Sequence, residues 1–430
     1  MVAWQLWLGW LGGIILATIL AVLLVVYIRG GFRRKIQYKM RNVPGPEEPH
    51  FFRALVGLAT SIPTQTYPTD FFVEADAIYA ARQQAIREAE RSIHFETFYM
   101  TPGRRADEFA IALMERARSG VSVQVVADEH GAKAMPTRYW QQLRSAGVEV
   151  GFFRSFDWKA PLDYHLRTHR KMLLIDGRVA LIGGAGVSDE WDGKGKLTKS
   201  QTPWRDFEVR YEGAIVNVLE GVFMENWANS GQTLDLSPAI FEEFRDGGKP
   251  AFVTTGNFSL DDSSPRILYH TCIEAAKQRI WVASPYFVPD RYTQDVLMAA
   301  SQRGVDVRVL TMGVLNDKPI VYHTARELYH RMLLKGVGIY EYQPSMLHAK
   351  VLFVDGRWIS HGSTNLDQRS FFQNDEMNVS TNDANLVQWI EQFLTESFAN
   401  SRHITLEEWQ RRSLLEKIRG KVGLLFRQLF

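Results

Sequence analysis

The chain has almost no cysteine and no excess of charge of either sign. Cys272 is the only cysteine, so no disulfide can form within the chain, which suits a reducing compartment. Because Cys272 lies in an apolar helix pattern, we expect a thiol buried in the core and not a nucleophile. The 50 basic and 48 acidic residues give a net charge of +2, which argues against the broad cationic surface of nucleic-acid-binding proteins. With 430 residues, 46% of them hydrophobic, the chain has room for two cores of ordinary domain size.

Charge is also missing from the amino terminus. Met1 to Ile28 has no charged side chain, and Leu11 to Ile28 is long enough to cross the hydrocarbon of a bilayer as a helix. A cleaved signal peptide is disfavoured, because no basic segment precedes the apolar run. The residues that follow the run favour the cytoplasmic side, since they include Arg29, Arg33, Arg34, Lys35, Lys39 and Arg41. We therefore predict a retained single-pass anchor within residues 1–45, with the rest of the chain in the cytoplasm.

A pattern of histidine, lysine and aspartate occurs twice with identical spacing. The two copies are His169, Lys171 and Asp176, and then His348, Lys350 and Asp355. One match is expected by chance in roughly a few per cent of chains of this length, but two matches in similar surroundings are far less expected. Lysine is not a usual ligand of metals, and the histidine spacing is not that of zinc motifs, so we expect no metal and no cofactor. The duplication points to phosphodiester chemistry.

Each copy is followed by two apolar runs that are separated by Asp-Gly. The first copy has Met172 to Ile175 and then Val179 to Ile182, and the second repeats this from Val351. Because glycine adopts positive φ without steric cost, this pattern predicts a β-hairpin in each half. Residues two apart on a strand face the same side, so the histidine and lysine of each copy should project together. The Asp176 and Asp355 carboxylates are expected to hold the turns more than to touch substrate.

The wider sequence also repeats, which favours two α/β units of similar design. An amphipathic helix that ends in a strand is predicted over Ala85 to Met100 and again from Cys272 to Phe287. Helices alternating with short strands predict two domains that each supply half of one site. We place them at residues 46–235 and 250–405, joined through residues 230–250 and followed by a basic amphipathic tail at 406–430.

These features resemble the phospholipase D superfamily, and most of all the bacterial cardiolipin synthases. The likeness runs from about Phe72 to Phe398. It is carried by Thr168 to Lys171, Asp189 to Trp191, Trp204 to Asp206, Ser284 to Asp290, Leu347 to Lys350, Gly362 to Phe371 and Asn374 to Glu376. The resemblance implies an α/β fold of two similar α/β/α domains with mixed sheets related by a pseudo-twofold axis, beside the transmembrane helix. It also implies a place in the bacterial inner membrane.

The resemblance further implies a phosphatidyltransferase. Phosphatidylglycerol would be donor and acceptor, and the products would be cardiolipin and glycerol; phosphatidylethanolamine is an alternative acceptor. A hydrolase of the same superfamily and a non-catalytic membrane protein are the competing interpretations. The uncharged anchor and the near-neutral balance favour a lipid over a nucleic acid, and intact motifs in both halves argue against a non-catalytic protein.

The residue types suit phosphoryl transfer without a metal. Lys171 and Lys350 would neutralise the non-bridging oxygens of the phosphate as charge shifts in the transition state. One imidazole would attack phosphorus to form a phosphohistidine, while the other protonates the leaving alkoxide and then acts as base toward the acceptor. By analogy with the family, His169 is the nucleophile and His348 the acid and base.

Further residues are expected to position these groups. A carboxylate on the second ring nitrogen would fix the tautomer of each imidazole, and Asp206 and Glu376 lie at matching places of the repeat. The candidate catalytic set is therefore His169, Lys171, Asp176, His348, Lys350, Asp355, Asp206 and Glu376. The candidate phosphate-binding residues provide side-chain hydrogen bonds or close backbone approach, and they are Gly183, Gly184, Gly362, Ser363 and Asn365.

The first half departs from the family pattern at one place. Where the family usually has an asparagine after its glycines, this chain has Gly186, within Gly183-Gly184-Ala185-Gly186. The first half-site therefore lacks side-chain contacts that the second keeps, and we expect backbone amides or Arg205 to compensate.

Three other segments remain, of which the first has one interpretation and the other two have two each. Phe51 to Leu58 is too short to span a bilayer but fits its interface. The tail from Leu415 to Phe430 either binds anionic headgroups or packs on the core as a helix. Asp189 to Pro203 is either an exposed loop or a cover over the site.

Overall fold

In this computed structural model the described residues are 2–28, 36–160, 163–195, 197, 201–236, 241, 247–259 and 263–427. The basic residues Arg29, Arg33, Arg34 and Lys35, which support the predicted orientation, lie outside the described residues. The strands are β1 (Ile62–Val73), β2 (Ser92–Thr97), β3 (Ser122–Asp128), β4 (Glu149–Phe153), β5 (Met172–Ile175), β6 (Val179–Gly183), β7 (Phe207–Glu212), β8 (Lys249–Gly256), β9 (Arg279–Ala283), β10 (Asp306–Met312), β11 (Gly338–Tyr342), β12 (Val351–Val354), β13 (Trp358–Gly362), β14 (Glu376–Thr381) and β15 (Ser401–His403).

The helices precede and connect these strands. They are α1 (Val2–Ile28), α2 (Pro49–Leu58), α3 (Glu74–Glu88), α4 (Arg104–Arg118), α5 (Thr137–Ser145), α6 (Ile215–Asn229), α7 (Ser264–Ala275), α8 (Arg291–Gln302), α9 (Pro319–Leu333), α10 (Gln368–Phe372), α11 (Ala384–Ala399), α12 (Leu406–Gln410) and α13 (Leu414–Leu425). Asp163–His165 forms a single 3₁₀ turn.

All strands join one mixed sheet in the order β15-β11-β10-β9-β12-β13-β14-β8-β1-β7-β6-β5-β2-β3-β4. Outward from the central antiparallel pair β1 and β8, the first half reads β1-β7-β6-β5-β2-β3-β4 and the second β8-β14-β13-β12-β9-β10-β11. Each of these fourteen strands thus has a counterpart at the same distance from the centre, as two repeats related by a pseudo-twofold axis require, while the edge strand β15 lies outside the repeat. The predicted α/β class with a mixed sheet is confirmed. Because one sheet crosses both halves, the domain boundaries at 46–235 and 250–405 stay predictions.

The halves also share a hydrophobic core. One cluster of buried side chains joins Phe223 and Trp227 of α6 to Phe353 and Ile359 of the second half. Both faces of the inner strands are covered, which explains why β5 and β12 are continuous apolar runs and do not alternate. Cys272 is buried in α7.

The predicted hairpins are present, and each lies directly behind its histidine and lysine. β5 pairs with β6, and β12 with β13, in antiparallel register. Asp176 and Gly177 have φ of 55° and 67°, and Asp355 and Gly356 have φ of 52° and 69°, as the turns require. The strands begin one residue after each lysine, so both motifs enter the sheet from an extended segment.

The motif aspartates hold the turns and lie at the far end of the strand from the histidines. The Asp176 carboxylate accepts the backbone N–H groups of Glu90, Arg91 and Ser92 at 2.7–2.9 Å. Asp355 accepts those of residues 277, 278 and 279 at 2.8–2.9 Å. A carboxylate engaged by three amides has little capacity left for other partners. These contacts agree with the turn-holding role, and a catalytic role for either aspartate stays a prediction.

The terminal segments differ in how they meet the core. α2 packs against the protein and is not free to lie in a membrane interface, because Phe51 is buried. The Phe51 ring meets the Trp358 ring edge-on, with 5.3 Å between the ring centroids. α13 packs on α9 where Gly420 and Gly423 allow close approach, while Leu414 and Leu425 stay exposed. The tail therefore docks on the core, and its binding to headgroups stays a prediction. Counting only side chains that are described, no helix combines the length and apolarity of a membrane span.

Candidate active site

Two short parallel backbone bridges join the halves, one beside each histidine and lysine motif. In the first bridge, His169 N–H donates to the Asp375 carbonyl at 2.7 Å. In the second bridge, His348 N–H donates to the Arg205 carbonyl at 2.9 Å. The backbone of each histidine is thus hydrogen-bonded to the residue that directly precedes a carboxylate of the other half. That carboxylate is Glu376 for His169 and Asp206 for His348.

The bridges bring both imidazoles to one cavity of about 350 Å³. His169 and His348 line it together with Lys171, and both imidazoles are nearly buried. We refer to this space as the main cavity. The two motifs lie 179 residues apart in the chain, yet they face one space large enough for a phosphate group.

The carboxylates that hold the imidazoles cross between the halves. His169 Nδ1 lies 3.1 Å from Glu376 Oε2 and 3.0 Å from the Ser363 carbonyl. His348 Nδ1 lies 3.0 Å from Asp206 Oδ2. Because Nδ1 of each ring faces an acceptor oxygen, we assign the hydrogen to Nδ1 and the lone pair to Nε2. The His348 ring also contacts Lys350, whose Nζ lies 3.0 Å from Nδ1 and 3.2 Å from Nε2. Neither carboxylate serves the histidine of its own half.

The two motif lysines are buried, and within the described part of the chain neither forms an ion pair with a carboxylate. Lys171 Nζ donates to the His169 carbonyl, and Lys350 Nζ to the His348 carbonyl, each at 2.6 Å. Burial, helped by the charge of Lys350, lowers the pKa of Lys171 to about 7. Burial likewise lowers the pKa of Lys350 to about 8. An anion between them would relieve this repulsion, so the pair is suited to a phosphate.

The two histidine and carboxylate pairs differ in their electrostatics. Burial lowers the pKa of His169 well below its ordinary value and that of His348 to about 3, with the lysines adding to both effects. Both imidazoles are therefore neutral near pH 7. Burial opposes ionisation of Asp206, but the contact with His348 and the nearby lysine outweigh it and lower the pKa. Burial instead raises the pKa of Glu376 to about 7.

Ser363 is committed to Glu376. Its hydroxyl donates to Glu376 Oε2 at 2.5 Å and accepts the Met377 N–H at 2.9 Å. With its hydrogen already donated, Ser363 orients the carboxylate, and its contact with phosphate stays a prediction. Asn365 differs, because its side-chain oxygen is buried without a partner among the described residues.

The predicted glycines lie close to protein atoms. A β-carbon at Gly184 would lie 2.5 Å from the Asp206 carboxylate, and one at Gly183 would lie 2.4 Å from the Phe207 carbonyl. A β-carbon at Gly362 would lie 2.1 Å from the Met377 carbonyl. These contacts give a packing reason for glycine at all three positions, and backbone approach to a ligand stays a prediction.

The glycine-rich segment of the first half differs from that of the second at two places. A side chain at Gly186, the counterpart of Asn365, would meet the Tyr99 carbonyl at 2.4 Å, so asparagine does not fit there. Gly184 is the counterpart of Ser363, and Trp191 Nε1 donates to Asp206 at 3.0 Å as the Ser363 hydroxyl donates to Glu376. Arg205 does not compensate as expected, because its guanidinium binds Glu74, Glu396 and Ser397.

Aromatic rings complete the main cavity, and their role is not evident from the sequence. Trp191 and Trp204 place their ring centroids 5.1 and 5.6 Å from that of His348, and Phe98 lies 5.4 Å from His169. Trp191 and Leu197 also show that the described part of the loop from Asp189 to Pro203 lines the cavity. Both tryptophans lie in segments that carry the family resemblance, and this was the signal from which the sequence could have predicted their place in the site.

Comparisons with known proteins agree with this geometry. A family model described as the phospholipase-D-like domain of cardiolipin synthase matches residues 83–190 and 269–397. The chain is 33% identical over 362 residues to cardiolipin synthase A of Pseudomonas fluorescens Pf-5, covering 82% of this chain and 73% of that protein. It is 34% identical over 352 residues to a cardiolipin synthase of Geobacillus kaustophilus, covering 80% and 68%. A phosphatidylserine synthase of Haemophilus influenzae shares the fold, with a TM-score of 0.67 at 12% identity over 88% of this chain and all of that one.

Proposed function

Since the chain belongs to the cardiolipin synthase family of phospholipase-D-like proteins, we propose that it transfers a phosphatidyl group between two phosphatidylglycerol molecules. The products are cardiolipin and glycerol. The observation that carries this proposal is the crossed pairing of two imidazoles with two carboxylates around one cavity that Lys171 also lines. The names of the relatives support the substrate, and the cavity supports the phosphoryl chemistry.

The first step forms a covalent intermediate. His169 Nε2 attacks phosphorus, the bond from phosphorus to the glycerol oxygen breaks, and His348 gives its proton to that oxygen. Lys171 and Lys350 balance the charge on the non-bridging oxygens. In the second step the acceptor hydroxyl gives its proton to His348 and attacks phosphorus, and the bond from phosphorus to His169 breaks.

The electrostatic difference between the pairs supports this division of roles. A general acid needs a protonated imidazole, and the ionised Asp206 stabilises positive charge on His348 once the substrate anion arrives. A nucleophile needs a neutral imidazole. Glu376, whose pKa is raised to about 7, gives less support to a protonated His169.

The test is to identify the products. Purified full-length protein in detergent, supplied only with phosphatidylglycerol, is expected to yield cardiolipin and glycerol in equal amounts, as measured by mass spectrometry and a glycerol assay. Transfer exceeds hydrolysis only if water is kept from the phosphohistidine, and the aromatic side chains that line the main cavity favour this. Release of phosphatidic acid without cardiolipin would show a hydrolase instead.

We also propose that α1 anchors the protein, with the catalytic part in the cytoplasm. α1 has 27 residues, which at a rise of about 1.5 Å span about 40 Å, against about 30 Å of bilayer hydrocarbon. Its described apolar side chains, such as Leu16 and Leu20, are exposed and have no core to cover. Basic residues after α1 support the orientation.

Placing charge in the middle of α1 should release the protein from membranes. Leu16→Lys combined with Leu20→Lys is expected to shift most of the protein to the soluble fraction after alkaline carbonate extraction, because each charge costs about 3 kcal/mol at the centre of a spanning helix. The matched variant with alanine at both positions should stay in the pellet. Equal retention of both variants would contradict the anchor.

A further inference from the structure

The main cavity continues beyond the histidines into a second space of about 270 Å³, which we call the side cavity. Lys318, Asn365 and Arg369 line the side cavity, and His130 and His169 line both spaces. The side cavity is thus within reach of any molecule that touches the His169 imidazole.

The side cavity has cationic walls that no described carboxylate neutralises by an ion pair. Lys318 lies over the Tyr286 ring, with 4.4 Å from Nζ to the ring centroid, and forms no ion pair with a described residue. Among the described residues, Arg369 donates to the Asn374 side chain and the His165 carbonyl, at 3.1 and 3.2 Å. Burial lowers the pKa of His130, and the charges of Lys318 and Arg369 lower it further, so positive charge converges here.

One carboxyl lines the side cavity, but it does not cancel this charge. Asp367 accepts the Ser370 N–H at 2.7 Å at the start of α10. Burial raises the pKa of Asp367 to about 7, so it carries less than a full negative charge near neutral pH. In the main cavity, Asp317 Oδ2 accepts the Tyr286 hydroxyl at 2.6 Å, and Oδ1 is buried without a partner among the described residues.

An independent sign of a ligand is the side chain of Asn365. The residue is 2% exposed and lines the side cavity, and its Oδ1 has no hydrogen-bond partner among the described residues. A buried polar atom without a partner is destabilising, and a hydroxyl of a bound molecule would provide the missing hydrogen bond. The side cavity therefore offers cations for an anion and an acceptor for a hydroxyl.

We propose that the side cavity binds the phosphate of the acceptor lipid while the main cavity holds the phosphorus of the donor. This rests on the proposed transfer, because the acceptor carries its own phosphate on the glycerol whose hydroxyl attacks. That hydroxyl approaches phosphorus, its proton passes to His348 Nε2, and the bond from phosphorus to His169 breaks. Lys318 and Arg369 bind the acceptor phosphate, and Asn365 accepts the remaining glycerol hydroxyl.

The repeat explains why one half provides this site. Lys318 lies between β10 and α9, and Lys133 lies between β3 and α5, which are the matching connections of the two halves. Lys133 lines only the main cavity, whereas Lys318 lines both. The two halves therefore differ at the point where the donor and the acceptor lipid need different binding sites.

The first experiment compares two reactions of the same phosphohistidine. Full-length protein in phosphatidylglycerol micelles makes cardiolipin, and with labelled glycerol it also exchanges the headgroup, a reaction whose acceptor has no phosphate. Lys318→Gln is expected to lower the ratio of cardiolipin formation to glycerol exchange roughly tenfold or more, the effect of losing one hydrogen bond to a charged group. Lys318→Arg keeps the charge and should keep the ratio.

The controls separate this proposal from the transfer itself. Lys335→Gln, at an exposed position after α9, should leave both reactions unchanged. An equal fall of both reactions in Lys318→Gln, or no change in their ratio, would overturn the acceptor site. Absence of cardiolipin with the unaltered protein would instead overturn the proposed transfer.

A binding measurement does not depend on turnover. By calorimetry, glycerol 1,3-bisphosphate should bind the full-length protein roughly tenfold more tightly than glycerol 1-phosphate, since it places one phosphate in each cavity. Lys318→Gln should remove most of that difference. Equal affinities for the two compounds in the unaltered protein would show that only one phosphate site exists.

Discussion

His169→Ala is expected to lose turnover by about four orders of magnitude or more, with phosphatidylglycerol and with an activated phosphatidyl ester alike, because it removes the atom that binds phosphorus. His348→Ala should lose about 10²- to 10⁴-fold with phosphatidylglycerol, whose leaving oxygen needs a proton. With phosphatidyl-p-nitrophenol the leaving group needs none. His348→Ala should then release one equivalent of p-nitrophenol in a burst and retain a phosphatidyl group on His169, detectable by mass spectrometry.

The histidine roles can be read directly from this comparison. A burst in His169→Ala with none in His348→Ala would exchange the nucleophile and the acid. Turnover at the level of the unaltered protein in either variant would contradict a site shared by the halves. His50→Ala, at an exposed position on α2, is the matched control and should behave as the unaltered protein does.

The second large effect is expected at the carboxylates, and it tests their crossed pairing. Asp206→Asn removes the charge that stabilises protonated His348 and should lower turnover of phosphatidylglycerol by about 10⁴-fold, the scale seen when a carboxylate that orients a catalytic histidine becomes an amide. Like His348→Ala, it should keep the burst with the activated ester. Glu376→Gln should instead slow the burst itself, roughly ten- to hundredfold, because Glu376 orients His169.

The opposite pattern would show that each carboxylate serves the histidine of its own half. Burst rates from stopped-flow measurements of p-nitrophenol release decide between the two pairings. Asp70→Asn, at an exposed position on β1, controls for loss of a carboxylate as such. Circular dichroism spectra of all three variants establish that the fold is retained.

Local sequence patterns predicted the hairpins because their cause is local. Positive φ at Asp176 and Asp355 follows from Asp-Gly between two apolar runs, whatever surrounds the hairpin. The turn-holding role of these aspartates follows from the same short range. The burial of Cys272 was equally accessible, since a run of apolar residues at helical spacing is buried in most folds.

Contacts between distant segments were not accessible in this way. The sequence offered Arg205 as a substitute for the side chain absent at Gly186, whereas the structure turns Arg205 to Glu74 and Glu396 and brings Trp191 to Asp206. The two partners of that last contact lie 15 residues apart in the chain, and no local pattern predicts that they meet. The two cations of the side cavity, Lys318 and Arg369, also come from segments far apart in the chain, since Lys318 directly precedes α9 and Arg369 lies in α10.

What the sequence determined by itself is the chemistry, since two histidines and two lysines in a repeated frame specify a site for a phosphodiester before any fold is known. What only the tertiary structure decided is which groups work together. The bridges of His169 to Asp375 and of Arg205 to His348 lay each motif beside the other half, so Glu376 holds His169 and Asp206 holds His348. Spacing along a chain predicts the faces of strands, because these follow from backbone geometry. Partners across an interface depend on how the two halves pack.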